Sequence, residues 1–312
     1  MNKYFKQYKW SNILKMLKNQ KLKPEKCSDK FKNRLVVITG ATSGIGLEAT
    51  KKYASKGANI LTINRDEKKS KELCKMLKNK YKTNCSYIIA DFSKLSDVHK
   101  VGKKLKNLKR NIDVLIHNAG VYLTKKTITD DNLEKVFQTN YLSTFIINYY
   151  VKDKFIKQNS GRIIFVNSEA HRFAAWGLHL DDLKWDKYKY SGLKSYGAAK
   201  MAQLLSMIKF NEIFLNTNVT INAMHPGNVK TNSGNDNGKI YKIFKKTIID
   251  KNSKSIEYSS ESIYFLGVSK KVKNISGKFF NLTTLEEPAP PALDKEETEK
   301  LWLLSIKLGG LK

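Results

Sequence analysis

The chain has 312 residues, 41% hydrophobic and 28% charged. That is enough apolar material for one large or two small globular domains, and too much for a disordered chain. The formal charge of +30 is compatible with a nucleic-acid binder or a protein held at an anionic membrane, but the lysines lie along nearly every polar stretch instead of in one block. No zinc-finger spacing or RNA-binding aromatic signature accompanies them, so no nucleic-acid partner is expected.

The opening stretch, MNKYFKQYKWSNILKMLKNQKLKPEK, lacks the apolar core of a secretory signal, and no run in the chain is long enough to span a bilayer as a helix. Tyr4, Phe5, Tyr8, Ile13, Leu14 and Leu17 fall along one helical side amid lysines. This suits a membrane-surface helix, a transit segment or a helix packed on the domain. Residues 1 to 33 read as a basic extension.

The first core element is RLVVIT, residues 34 to 39, short and β-branched, which runs into GATSGIG and then a helical stretch ended by Gly57. NILTIN, CSYIIA, IDVLIH, GRIIFVN and VTINAM read as further strands. DEKKSKELCKMLKNKY, DVHKVGKKLKNLK, a long helix over 129 to 155 and another over 191 to 215 lie between them. Continuous apolar strands alternating with amphipathic helices predict an α/β, doubly wound parallel sheet of Rossmann type, with about seven strands flanked by helices. No composition break divides it, so 34 to 287 reads as a single domain, and Pro288, Pro290 and Pro291 open a tail, 288 to 312, that packs on it. Cys27, Cys74 and Cys85 show neither metal-ligand nor redox-pair spacing, and so sparse and odd a count predicts no disulfide and a reducing compartment. No metal site is expected.

TGATSGIG follows a strand and opens a helix, the setting that a phosphate-binding loop requires. Gly40, Gly44 and Gly46 let the backbone approach a pyrophosphate, with Ser43 and Ile45 between them. The second strand ends at Asn64–Arg65, where a site reading a free 2′-hydroxyl would carry an acid. A guanidinium there suits a 2′-phosphate, which points to NADP(H) in preference to NAD(H). In SYGAAK, Tyr196 and Lys200 share one helix face, either as a packed pair or as a phenol poised by a cation.

With TG-x-x-x-G-x-G at 39 to 46, Ser168 and Tyr196-x-x-x-Lys200, the chain resembles the short-chain dehydrogenase/reductases, over about residues 34 to 311. HNAG at 117 to 120 is similar to the family's NNAG, with His117 in place of the first asparagine and Asn118, Ala119 and Gly120 retained. HPGNVKT at 225 to 231 is similar to the family's segment beside the nicotinamide, placing Pro226, Gly227, Val229 and Thr231 at the cofactor. Asp91 matches the residue that flanks the adenine, and Asn140 the family's catalytic asparagine. VNSEAHRF and the ending EEPAPPALDKEETEKLWLLSIKLGGL resemble the retinol dehydrogenase branch, though Asn167 stands where relatives often carry serine and the membrane-spanning start of many animal members is lacking.

The resemblance implies an oxidoreductase interconverting an alcohol and a carbonyl. Tyr196 would act as acid and base, Ser168 would bind the reacting oxygen, Lys200 would lower the phenol's pKa and hold the ribose, and Asn140 would anchor a water. Loops 169 to 192 and 228 to 250 are rich in aromatic and aliphatic residues and predict a lipophilic substrate. A catalytically silent dinucleotide sensor and a basic binding module are the competing classes. Self-association and peripheral membrane contact stay open, and the expected location is cytoplasmic or peripheral to an organelle or membrane.

Overall fold

The computed structural model describes residues 3–175, 177–227 and 255–312, except the side chains of Phe5 and Ile13. Seven strands alternate with helices in chain order: β1 (Leu35–Thr39), β2 (Asn59–Asn64), β3 (Cys85–Ile89), β4 (Val114–His117), β5 (Gly161–Val166), β6 (Val219–His225) and β7 (Phe279–Asn281). An eighth, β8 (Thr284–Glu286), turns back antiparallel on β7. The sheet order is β3-β2-β1-β4-β5-β6-β7-β8, and every pairing before the last is parallel. The sheet thus has one strand more than expected: β7 and β8 are three residues each, too short to register as periodic runs.

Two apolar layers sandwich the sheet, and strand alternation sorts the residues between them. Leu35 and Val37 face one cluster with α4 (Leu95–Lys106), α6 (Ser143–Gln158) and α7 (Gly192–Ile213). Val36 and Ile38 face the other with α2 (Gly44–Ser55), α3 (Glu67–Tyr81) and α8 (Ile256–Val268). Burial on both faces is why these strands are unbroken apolar runs instead of alternating ones. A last helix, α9 (Lys295–Leu308), places Trp302 edge-on to Phe145 and Phe210.

Three expectations need correction. The long helix does not begin at 129: Thr129 closes a turn with Leu133, and helical structure starts with a single turn, α5 (Lys135–Phe137), capped by Glu134. It passes through a π-turn, Gln138–Leu142, into α6. Cys74 and Cys85 are joined in a disulfide with Cα atoms 5.1 Å apart, because α3 folds back on β3; spacing in the sequence carries no trace of that contact. Cys27 is free and buried.

The basic extension is not one amphipathic helix. It forms a 3₁₀ turn (Phe5–Gln7) and α1 (Trp10–Asn19), and it is tied down at several points. The Tyr4 hydroxyl donates to Asp294 (2.9 Å), Tyr8 to the Ala175 carbonyl (3.5 Å) and the Asn19 amide to Glu286 (2.9 Å).

Candidate active site

The strand order reverses between β1 and β4, so the crevice beyond their carboxyl ends is where a ligand lies in such a sheet. Gly40 has φ +67°, in the left-handed region, and turns the chain out of β1. Ser43 stands at the N-cap of α2 with no side-chain bond to the helix, and Ile45 packs towards the α2 layer. A Cβ on Gly46 would lie 2.2 Å from the Gly40 carbonyl and 2.4 Å from the Asn118 amide, so only glycine closes this loop. Asn118 completes the closure: its Nδ2 donates to the carbonyls of Thr39 (3.0 Å) and Gly40 (2.9 Å). Thr39 Oγ1 in turn accepts from the N–H groups of Asn118 and Ala119 (2.9 Å each). Glycine loop and post-β4 turn therefore form one unit whose helix-start N–H groups suit a pyrophosphate.

Asn64, which sequence reasoning passed over, braces this loop from β2. Its buried Oδ1 accepts from Ala41 N–H (2.7 Å), and its Nδ2 donates to Thr62 and Ser70. Arg65 follows it, exposed, while Asp66 caps α3 through the Lys69 N–H. Burial pushes the Asp91 carboxyl up, but bonds from the Ser93 N–H and hydroxyl, with Lys135 and Arg65 nearby, outweigh it and hold it below the usual carboxylate range. Pro226 and Gly227 follow β6, with the Pro226 carbonyl accepting from Ser259 (2.6 Å) and Gly227 at φ +79°. Val229 and Thr231 lie outside the described residues, as does the loop 228 to 250.

Across the crevice, β5 ends beside α7. Ser168 opens a 3₁₀ turn, Glu169–Ala174, its hydroxyl oxygen accepting from Ala170 N–H (3.1 Å). Lys200 is 3% exposed and lies 5.6 Å from the centre of the Tyr196 ring. Its Nζ donates to the Val166 carbonyl (2.8 Å) and Gln203 Oε1 (3.3 Å). Burial, with no carboxylate paired to it among the described residues, lowers its pKa to about 7. Tyr196 is half-buried, edge-on to Tyr122 at 5.6 Å. Asn140 sits in the π-turn with Oδ1 accepting from Val121 N–H (2.7 Å) and Nδ2 donating to the Val121 carbonyl (2.9 Å). π-turns within helices recur at functional sites.

Gln203 joins these pieces, and sequence reasoning missed it. Its Nε2 donates to the Asn140 carbonyl (2.7 Å) and its Oε1 accepts from Asn167 Nδ2 (3.0 Å) as well as from Lys200. The available signal was a glutamine three residues after Lys200, in an otherwise apolar helical run. Asn167 is buried and also donates to the Lys200 carbonyl (2.9 Å), a support that a serine there could not reproduce with one hydroxyl. His117 is buried, bonded to Asn148 (2.8 Å) and stacked on Phe165, and burial pushes it down to about 4, so it is neutral. Beside Ser168, burial and the neighbouring Glu286 raise Glu169 well above the carboxylate range, against the pull of Arg172 (2.6 Å).

A glycine loop and braced turn at the point where the strand order reverses, with Ser168 after β5 and Tyr196 and Lys200 on α7, suit a dinucleotide-dependent oxidoreductase of the Rossmann class. A family model for short chain dehydrogenases matches residues 34–178. Human retinol dehydrogenase 13 is 30% identical over 286 residues, covering 89% of this chain and 85% of that protein. The chloroplastic short-chain dehydrogenase TIC 32 A of Brassica napus is 29% identical, covering 89% of each. A short-chain dehydrogenase from Sphingobium yanoikuyae, solved with NADPH, superposes with a TM-score of 0.59 at 20% identity, over 75% of this chain and 83% of that one. The chain belongs to the short-chain dehydrogenase/reductase family, NAD(P)-dependent oxidoreductases, and is similar to its retinol dehydrogenases.

Proposed function

We propose that the protein is an NADP(H)-dependent oxidoreductase interconverting an alcohol and a carbonyl on a lipophilic small molecule. The observation that carries this is the Gln203 bridge, which gathers Asn140, Asn167 and Lys200 beside Tyr196 and Ser168 at the mouth of the crevice. The glycine loop, Asn118, Ala119, Gly120, Asp91, Pro226 and Gly227 fit a dinucleotide, since the Gly46 position leaves no room for any side chain and the loop is braced from β2 and from the turn after β4. Bound there, the nicotinamide supplies or accepts the hydride. Arg65, exposed at the end of β2, reads the 2′-phosphate.

Tyr196 gives its phenolic proton to the carbonyl oxygen during reduction and removes the alcohol proton in reverse. Ser168, whose oxygen accepts from Ala170 N–H, keeps its O–H free to donate to the same oxygen, stabilising charge as it develops. Lys200 sits near enough to Tyr196 to favour the phenolate once protonated, and its pKa near 7 lets it accept and release protons near neutrality. Asn140 orders the approach from solvent to Lys200 through Gln203.

Support for a lipophilic substrate is narrower than the loop composition implied. Leu178, Leu180 and Leu183 pack on the domain core and seal the loop, and Trp176 lies outside the described residues. Phe173 does not: it is 55% exposed and rests over Gly197, next to Tyr196 along α7. Tyr122, edge-on to Tyr196, is a second aromatic ring beside the phenol. A turnover screen of the purified protein with NADPH and NADH, against alkyl and isoprenoid aldehydes and their alcohols, tests this reading. Preference for sugars or anionic acids would contradict the substrate class alone.

A further inference from the structure

Helix α1 is fastened to the domain by one side only. Asn19 is buried and bonded to Glu286, and Met16 is partly covered. On the other side Trp10, Leu14 and Leu17, at i, i+4 and i+7, are 79%, 65% and 48% exposed, and Leu22 just beyond is 40% exposed. Isolated exposed leucines are ordinary, but an aligned stripe led by a tryptophan is an interaction face.

Its surroundings select the partner. From Lys3 to Lys23 there are seven lysines and no carboxylate. Lys6, Lys9, Lys15, Lys18, Lys21 and Lys23 are exposed and make no ion pair among the described residues; Lys3 alone is paired, with Asp294 and Glu296. The helix starts without a side-chain cap or an acid in its first turn, so its positive end also faces outward uncompensated. A tryptophan-led apolar stripe bordered by lysines matches the boundary of an anionic bilayer, with the indole at headgroup depth and the lysines among phosphates.

The same segment is pinned to the loop after Ser168, through Tyr8 on the Ala175 carbonyl and the Tyr4 ring against Gly177. We propose that the Trp10–Leu14–Leu17 face of α1 docks the protein on an anionic phospholipid surface and so holds the mouth beside Phe173 near the membrane. The proposal extends the lipophilic-substrate reading, but the docking face stands on its own surface chemistry.

The test is co-sedimentation of the full chain with vesicles of phosphatidylcholine alone or mixed with phosphatidylglycerol. A triple variant, Trp10→Ser, Leu14→Ser and Leu17→Ser, and a charge variant, Lys15→Glu, Lys18→Glu and Lys21→Glu, are compared with the native chain. Partitioning to the anionic vesicles should exceed that to neutral ones by about tenfold or more and weaken as salt rises. Each variant should lose about tenfold while keeping its turnover of a short, water-soluble aldehyde. Absence of sedimentation, equal binding to both vesicles, or binding unchanged in the triple variant would overturn the proposal. So would a concentration-dependent dimer that the triple variant abolishes, which would make the stripe a self-association face. Because vesicle binding is read without turnover, an inactive protein that still sediments would refute the substrate reading and leave the docking face standing.

Discussion

Replacing Gln203 by methionine tests whether the bridge holds the site together. The side chain's shape is nearly kept, but three hydrogen bonds go: those to the Asn140 carbonyl, Asn167 Nδ2 and Lys200 Nζ. Asn167 keeps its bond to the Lys200 carbonyl, and Lys200 its bond to the Val166 carbonyl, so neither group is stranded. The Asn140 carbonyl loses its side-chain donor inside a π-turn that is buried throughout. A lost neutral bond is worth about 0.5–1.5 kcal/mol and an abandoned buried acceptor about 1–3 kcal/mol. Burial of an apolar thioether in place of an amide returns part of this, so a net loss of about 2–4 kcal/mol is expected. In differential scanning fluorimetry the midpoint should fall by roughly 5 °C or more. Turnover should fall about tenfold or more because Lys200 and Asn140 are no longer registered to each other, while NADPH affinity changes little. A variant with native midpoint and native turnover would refute the bridging role.

Arg65→Ala should weaken NADPH binding by about tenfold or more and leave NADH binding almost unchanged, as read by fluorescence titration. Equal loss for both would show that Arg65 does not read the 2′-phosphate. Gly46→Ala should leave a folded chain that binds neither dinucleotide measurably, since the new methyl meets the Gly40 carbonyl and Asn118; overpacking of this kind costs about 1–3 kcal/mol. Native affinity in isothermal titration would mean that the loop lies elsewhere. Lys200→Met addresses pH: with the folded pKa lowered from 10.5 to about 7, the unfolded chain binds the extra proton, so this lysine destabilises the fold fully below about pH 7, and the penalty fades as pH rises towards 10.5. The inactive variant should therefore melt higher than the native chain near neutrality, with the difference shrinking at alkaline pH; a constant difference would show that the lysine is not desolvated.

What the sequence made legible was local. The strand–loop–helix at 34 to 57 and the Tyr196–Lys200 pair are set by spacing within single elements, and the structure places them as read. Strand alternation likewise carries the two-sided burial of β1. Gln203 stood out only as a glutamine in an apolar run, and its role was not legible because it depends on Asn140, 63 residues away, and on Asn167. The N-terminal segment shows the same limit: Tyr4 finds Asp294 across 290 residues and Asn19 finds Glu286 across 267. A helical stripe drawn through Tyr4, Leu14 and Leu17 mixed a buried anchor with an exposed face, because the chain breaks between Gln7 and Trp10. The disulfide escaped for a related reason, since only the return of α3 onto β3 brings Cys74 to Cys85.

The most direct test of Tyr196 as the proton donor is the decay of NADPH absorbance on mixing enzyme, NADPH and a homologous series of aldehydes. The native chain should oxidise NADPH with an efficiency that rises along the series, by on the order of 1 kcal/mol of transition-state binding per methylene. Tyr196→Phe should bind NADPH as tightly but turn over about 10²–10⁴-fold more slowly. Tight binding with no decay for any aldehyde in the native chain, or a Tyr196→Phe variant as fast as native, would contradict the assignment.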